Sequence, residues 1–130
     1  IEPQIAMLAA ERATPEDLAE IKKVVDRMQE VNYLHKERMD LDMRFHTLLA
    51  KCTGNAVFMQ LIPVIYETIV KGVVLLYESE ASHKRAQATH KVIYEALANR
   101  ETWKAKNAMT SHIYSSLEDI HHVGKGESPV

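Results

Sequence analysis

Apolar residues recur three and four positions apart along almost the whole chain, and few helix-ending residues interrupt them. Leu18, Ile21, Val25 and Met28 make one such series; Leu41, Phe45, Leu48, Leu49 and Cys52 make a second; Val92, Ile93, Ala96 and Leu97 make a third. Side chains at this spacing share one face of an α-helix, whereas a half-buried strand would alternate. With only 4 Gly and 4 Pro there is little turn chemistry to break the repeat, so the chain reads as all-α. At 130 residues it fits a single domain with one sizeable core.

The few interruptions predict about six helices in an antiparallel bundle. The repeat Ile5, Leu8, Ala9, Arg12 stops at Thr14, whose hydroxyl can cap a second helix with Pro15 in its first position. Glu16 and Asp17 then complement the helix dipole, and this helix should end near Glu30. Asn32 to Glu37 reads as a polar link. The third helix should run to Thr53-Gly54-Asn55, where Gly54 supplies a left-handed stop. From Ala56 to about Glu80 the chain is apolar around most of its circumference, which predicts a helix that is central or covers an interface. Pro63 should fall in its first turns or kink it, and Gly72 weakens its middle. A fifth helix begins at Ser79 or Ser82 and ends at Asn99-Arg100-Glu101. The last carries Trp103, Ala105, Ala108, Met109, Ile113, Leu117 and Ile120, and a polar tail occupies 124–130.

Lys and Arg number 16 against 18 Asp and Glu, interspersed and without a basic block, so this segment should not itself bind DNA. The single cysteine, Cys52, excludes an intramolecular disulfide framework and is expected to serve packing in a reducing cytoplasm. The longest strongly apolar run, Val70 to Tyr77, is broken by Lys71 and Gly72 and is too short to cross a bilayer. We therefore expect a cytoplasmic protein with no membrane partner and no secretory signal. A start at Ile1 is taken to mean that residues are missing upstream.

Asp42 and His46 stand one helical turn apart and so can offer a carboxylate oxygen and an imidazole nitrogen to one ion. His90 precedes Ile93 and Leu97 by three and seven, and His112 follows Ala105, Ala108 and Met109 by seven, four and three, which turns both inward. Buried imidazoles and a carboxylate without a cation or hydrogen-bond partner would be costly. This donor set suits a divalent ion, with Zn first and Ni, Mn or Fe as alternatives. The bland reading is that each is an ordinary satisfied core residue. His83, seven before His90, is a candidate outer-shell or effector contact; His35, His121 and His122 read as solvent-exposed or dipole-facing. Arg38 could meet a carboxylate, although a surface ion pair with Asp42 or Glu37 is its ordinary role. The methionines Met28, Met39, Met43, Met59 and Met109 read as gap-filling residues, and Trp103 as an anchor against a neighbouring helix. No Gly-rich phosphate loop, placed nucleophile or basic aromatic strip is found, so no residue is assigned to catalysis.

The ordered set Ile1-Glu2-Pro3 through Leu8-Ala9-Ala10-Glu11-Arg12-Ala13-Thr14, then Asp42-Met43-Arg44-Phe45-His46, Thr53-Gly54-Asn55, and His90 to Ile93 with Glu95-Ala96-Leu97 and His112, resembles the FCD domain. This is the C-terminal, effector-binding domain of FadR-type GntR transcription regulators. Ala96-Leu97 departs conservatively from the family's Ala-Ile. The resemblance covers residues 1–123 and implies that Asp42, His46, His90 and His112 bind a divalent metal inside the bundle. It also implies a small organic acid as effector, a homodimer, and DNA binding only through an N-terminal winged helix-turn-helix that this chain lacks. A helical metal-dependent hydrolase is the alternative from another class, and a purely structural bundle is the third reading.

Overall fold

The computed structural model describes residues 1–34, 36–72 and 79–124, with side chains left out at 69–72 and 119–124. The expectations for His35, for the side chains of the run Val70 to Tyr77, for those of Ile120, His121 and His122, and for residues 125–130 of the tail lie outside the described residues. Among the described residues six helices follow one another: α1 (Glu2–Arg12), α2 (Pro15–Glu30), α3 (Arg38–Cys52), α4 (Ala56–Gly72), α5 (Glu80–Ala98) and α6 (Thr102–Gly124). Among the described residues there is no strand.

Local chemistry accounts for the boundaries. Thr14 caps α2 through a reciprocal pair: its hydroxyl accepts from the Asp17 amide and its own amide donates to the Asp17 carboxylate, both at 3.0 Å. Ser79, not Ser82, starts α5; Ser82 sits at the third helical position and completes the same kind of box. Gly54 takes φ 70° after α3, as a left-handed stop requires. Arg100 also lies in the left-handed region, at φ 57°. Its amide reaches the Leu97 carbonyl and the Glu101 amide reaches that of Ala96, the paired bonds of a Schellman turn. Pro63 lies well inside α4 and not in its first turns, so the fourth helix loses one internal hydrogen bond there.

The core gathers around α1, which lies against α3, α5 and α6. Its inward face is Ile5, Ala6, Ala9 and Ala10, all essentially without exposure. The alanines let neighbouring helices approach closely, and the space is filled by Phe45 and Leu49 of α3, Ile93 and Leu97 of α5, and Met109 of α6. Guanidinium groups tie the helix ends together: Arg12 donates to the Thr53 carbonyl at 2.7 Å, and Arg100 donates to the Ala10 carbonyl at 3.2 Å.

Of the two places expected for the strongly apolar α4, the central one is not taken: it packs chiefly on α3 and exposes Val57, Met59, Leu61 and Val64. Apolar circumference in the sequence shows what a helix could bury, not what its neighbours cover. Trp103 is no anchor either, for it is 65% exposed, with the Lys106 ammonium 4.9 Å from its ring centroid. Cys52 is buried as expected. Met28 and Met109 are core residues, Met39 and Met43 lie at the boundary, and Met59 is exposed.

Candidate metal centre

The helical repeat of α3 places Phe45 and His46 inward, and Asp42 one turn before His46 at the edge of the core. Helices α5 and α6 bring His90 and His112 to the same point. One ligand atom from each of Asp42, His46, His90 and His112 lies within 4.8 Å of all the others. Ligand atoms of a tetrahedral ion with bonds of about 2.0–2.1 Å stand about 3.4 Å apart. The widest pair would therefore close in by up to about 1.4 Å to share such an ion.

The three rings form a compact cluster. His90 and His112 have centroids 4.5 Å apart, and His46 and His112 stack at 5.4 Å. Phe45, fully buried, tilts against His90 at 4.6 Å and meets His46 edge-on at 5.2 Å. Tyr66 of α4 stacks on His46 at 4.5 Å.

Asp42 Oδ1 lies 3.1 Å from His90 Nε2 and 3.5 Å from His46 Nε2. Neither nitrogen has a hydrogen-bond partner of acceptable geometry, although both are buried. Proximity without alignment is what ligands converging on a shared point produce, and orphaned buried nitrogens are otherwise unfavourable.

Electrostatics separate the members. Burial opposes ionisation of Asp42, but His46 and His90 outweigh it and hold the carboxyl well below its usual range; a third of the side chain remains exposed. Burial also opposes charge on His46, yet Glu2 and then Asp42 outweigh it and push the imidazole up to about 10. His90 is lowered by burial, against the pull of Asp42. His112 is lowered further by burial and by its two histidine neighbours, so it stays neutral with a lone pair to offer.

Three further residues complete the site, and sequence reasoning assigned none of them a role. Glu2 of α1 meets His46 Nδ1 through Oε1 at 2.7 Å and accepts the Tyr66 hydroxyl at Oε2 at 3.3 Å. Thr89 Oγ1 lies 2.9 Å from His112 Nδ1. A signal for Glu2 was present: it precedes Ile5, Ala6 and Ala9 by three, four and seven, an acid on an apolar stripe. Its place in the first turn of a helix made it look like an ordinary partner of the dipole.

The other candidates take structural roles. His83 is buried, but its Nε2 is engaged with the Val31 carbonyl at 3.0 Å, which ties α5 to the end of α2. Arg38 donates through Nε to the Tyr33 carbonyl at 2.8 Å.

Comparison with known proteins follows the same lines. The FCD domain family matches residues 1–115. The galactonate operon transcriptional repressor of Escherichia coli K12 is 27% identical over 125 residues, 95% of this chain and 54% of that protein. The HTH-type transcriptional repressor NanR of Salmonella newport is 25% identical over 126 residues, 95% of this chain and 48% of its own length. Among solved structures, Streptococcus agalactiae GntR superposes with a TM-score of 0.74 at 30% identity, covering 89% of this chain and 52% of that one. The chain thus spans about half the length of the curated relatives it matches.

Proposed function

Because this chain belongs to the FCD domain family, we propose that it is the effector-sensing part of a GntR-family transcription regulator, with a divalent metal held by Asp42, His46, His90 and His112. The observation that carries the metal is the convergence of the buried, unpartnered Nε2 atoms of His46 and His90 on Asp42, with His112 beside them. Three imidazoles and one carboxylate are a borderline donor set that suits Zn first, and also Ni, Mn or Fe. Bound there, the ion would supply a Lewis acid for a carboxylate oxygen.

The effector we propose is a small organic acid. Of the four ligands only Asp42 reaches solvent, with a third of its side chain exposed, while the three histidines are buried, His46 and His90 against Phe45 and His46 also against Tyr66. An effector can change regulator output only through different affinities for two packings of the bundle. DNA binding would then belong to a part of the regulator outside these residues. The exposed apolar face of α4, with Val57 at 66% and Val64 at 60%, is the surface we assign to self-association into a homodimer. The hydrolase alternative is set aside, since the matched relatives are transcription regulators.

Metal analysis of the wild type and of His90→Ala, followed by a thermal-shift screen with small carboxylic acids, tests this. Wild type should take up a divalent ion and gain melting temperature with at least one acid, and the variant should lose both responses. A wild type that binds none of Zn, Ni, Mn or Fe, or a variant that binds as well as wild type, would overturn the metal site. Metal uptake with no response to any acid would remove the carboxylate effector.

A further inference from the structure

The histidine ligands are useful to an ion only if the nitrogen facing it carries a lone pair, and that depends on what holds the opposite nitrogen. At His112 the hydrogen-bond count decides the matter. Thr89 has one hydroxyl proton, and its Oγ1 is placed to donate it to the Ala86 carbonyl at 3.0 Å. With that proton engaged, the 2.9 Å contact with His112 requires Nδ1–H to donate to Oγ1. Nε2 is then the unprotonated nitrogen.

At His46 a carboxylate replaces the hydroxyl. Glu2 offers only acceptor oxygens, and one already receives the Tyr66 hydroxyl. The 2.7 Å contact at the other therefore has His46 Nδ1–H as donor, leaving Nε2 to face Asp42 and His90. Glu2 and Thr89 meet the ligand rings at Nδ1, and Tyr66 reaches the site through Glu2 and its stack on His46.

We propose that Glu2 and Thr89 are positioning residues of the metal centre, which lock His46 and His112 as Nδ1–H tautomers so that both ligate through Nε2. The proposal rests on the metal reading given above and deepens it. It also makes α1 and α4, which supply no ligand, part of the centre: Glu2 joins the first turn of α1 to His46, and Tyr66 joins α4 to Glu2. Carboxylate–histidine–metal arrangements of this kind typically contribute about 10–100-fold to metal affinity.

The test is Zn affinity by competition with a chromogenic chelator on wild type, Glu2→Ala, Glu2→Gln, Thr89→Val, Thr89→Ser and His46→Ala, with helicity checked by circular dichroism. Glu2→Ala and Thr89→Val should each weaken Zn binding about 10–100-fold. Thr89→Ser, which keeps the acceptor, should bind close to wild type. Glu2→Gln, which keeps an acceptor oxygen without the charge, should fall between Glu2→Ala and wild type. Long-range proton–nitrogen spectra of Zn-loaded wild type should show Nδ1–H on both His46 and His112. That spectrum keeps the proposal testable if a variant fails to fold. Wild-type affinity in folded Glu2→Ala and Thr89→Val, with loss in His46→Ala, would overturn the positioning role and leave the metal site standing. Nε2–H on either ring in the loaded protein would overturn it too. A wild type that binds none of Zn, Ni, Mn or Fe would overturn both.

Discussion

Cys52 shows how much a single buried group can differ from its free counterpart. Its thiol sits at the end of α3, buried, and burial first, then the nearby Asp17, push its pKa up to about 12 from 9.0. A raised pKa means that the folded state favours the protonated form. Its stabilising effect is present below about pH 9 and is lost as pH rises toward 12. Reactivity follows the thiolate, so at pH 8 a thiol reagent such as dithionitrobenzoate should label the folded protein far more slowly than the urea-unfolded chain. Equal rates would show that Cys52 is accessible. The proposed metal site is the opposite case at the same scale, where Glu2 and Asp42 favour a charged imidazole at His46 despite complete burial. Both outcomes follow from which neighbours a buried group has, and two of these, Asp17 for Cys52 and Glu2 for His46, lie far away in the chain.

At the scale of elements, the turn between α5 and α6 sets strain against tethering. Arg100 adopts a left-handed backbone that suits glycine, at a cost of about 1 kcal/mol for a residue with a Cβ. Against this its guanidinium bonds the Ala10 carbonyl, a contribution of about 1 kcal/mol that fastens the corner to the end of α1. Arg100→Ala removes the bond and keeps the strain, so it should destabilise by about 1 kcal/mol. Arg100→Gly removes both and should come out near wild type. Urea unfolding of the three proteins checks this: a glycine variant no more stable than the alanine variant would show that the left-handed backbone is not maintained. Sequence reading identified Asn99-Arg100-Glu101 as a link but not the Schellman turn. Arginine gives no local sign of a positive φ, whereas Gly54 announced its own.

For the molecule as a whole, the proposed centre draws on α3, α5 and α6 directly, and on α1 through Glu2. Saturating metal should therefore stabilise the bundle by mass action, about 2.7 kcal/mol at a free concentration 100 times the dissociation constant. Amide hydrogen exchange with and without Zn should show the added protection in α1, α3, α5 and α6, with α2 changed least, and chelation should reverse it. Protection confined to α3 would mean that metal binds at Asp42 and His46 without uniting the helices. The all-α class, most helix boundaries, the capping of α2 and the stop at Gly54 were legible in the chain alone, because these depend on groups within about five residues of one another. So were the pairing of Asp42 with His46 and the inward turn of His90 and His112, since periodicity assigns a face. Periodicity cannot say what lies opposite that face. Only the tertiary structure set Glu2 against His46 from 44 positions away and Tyr66 against Glu2 from 64, placed His83 on the Val31 carbonyl, and left Trp103 and much of α4 exposed. Those contacts depend on how whole helices pack, and a residue's own neighbours in the chain carry no record of it.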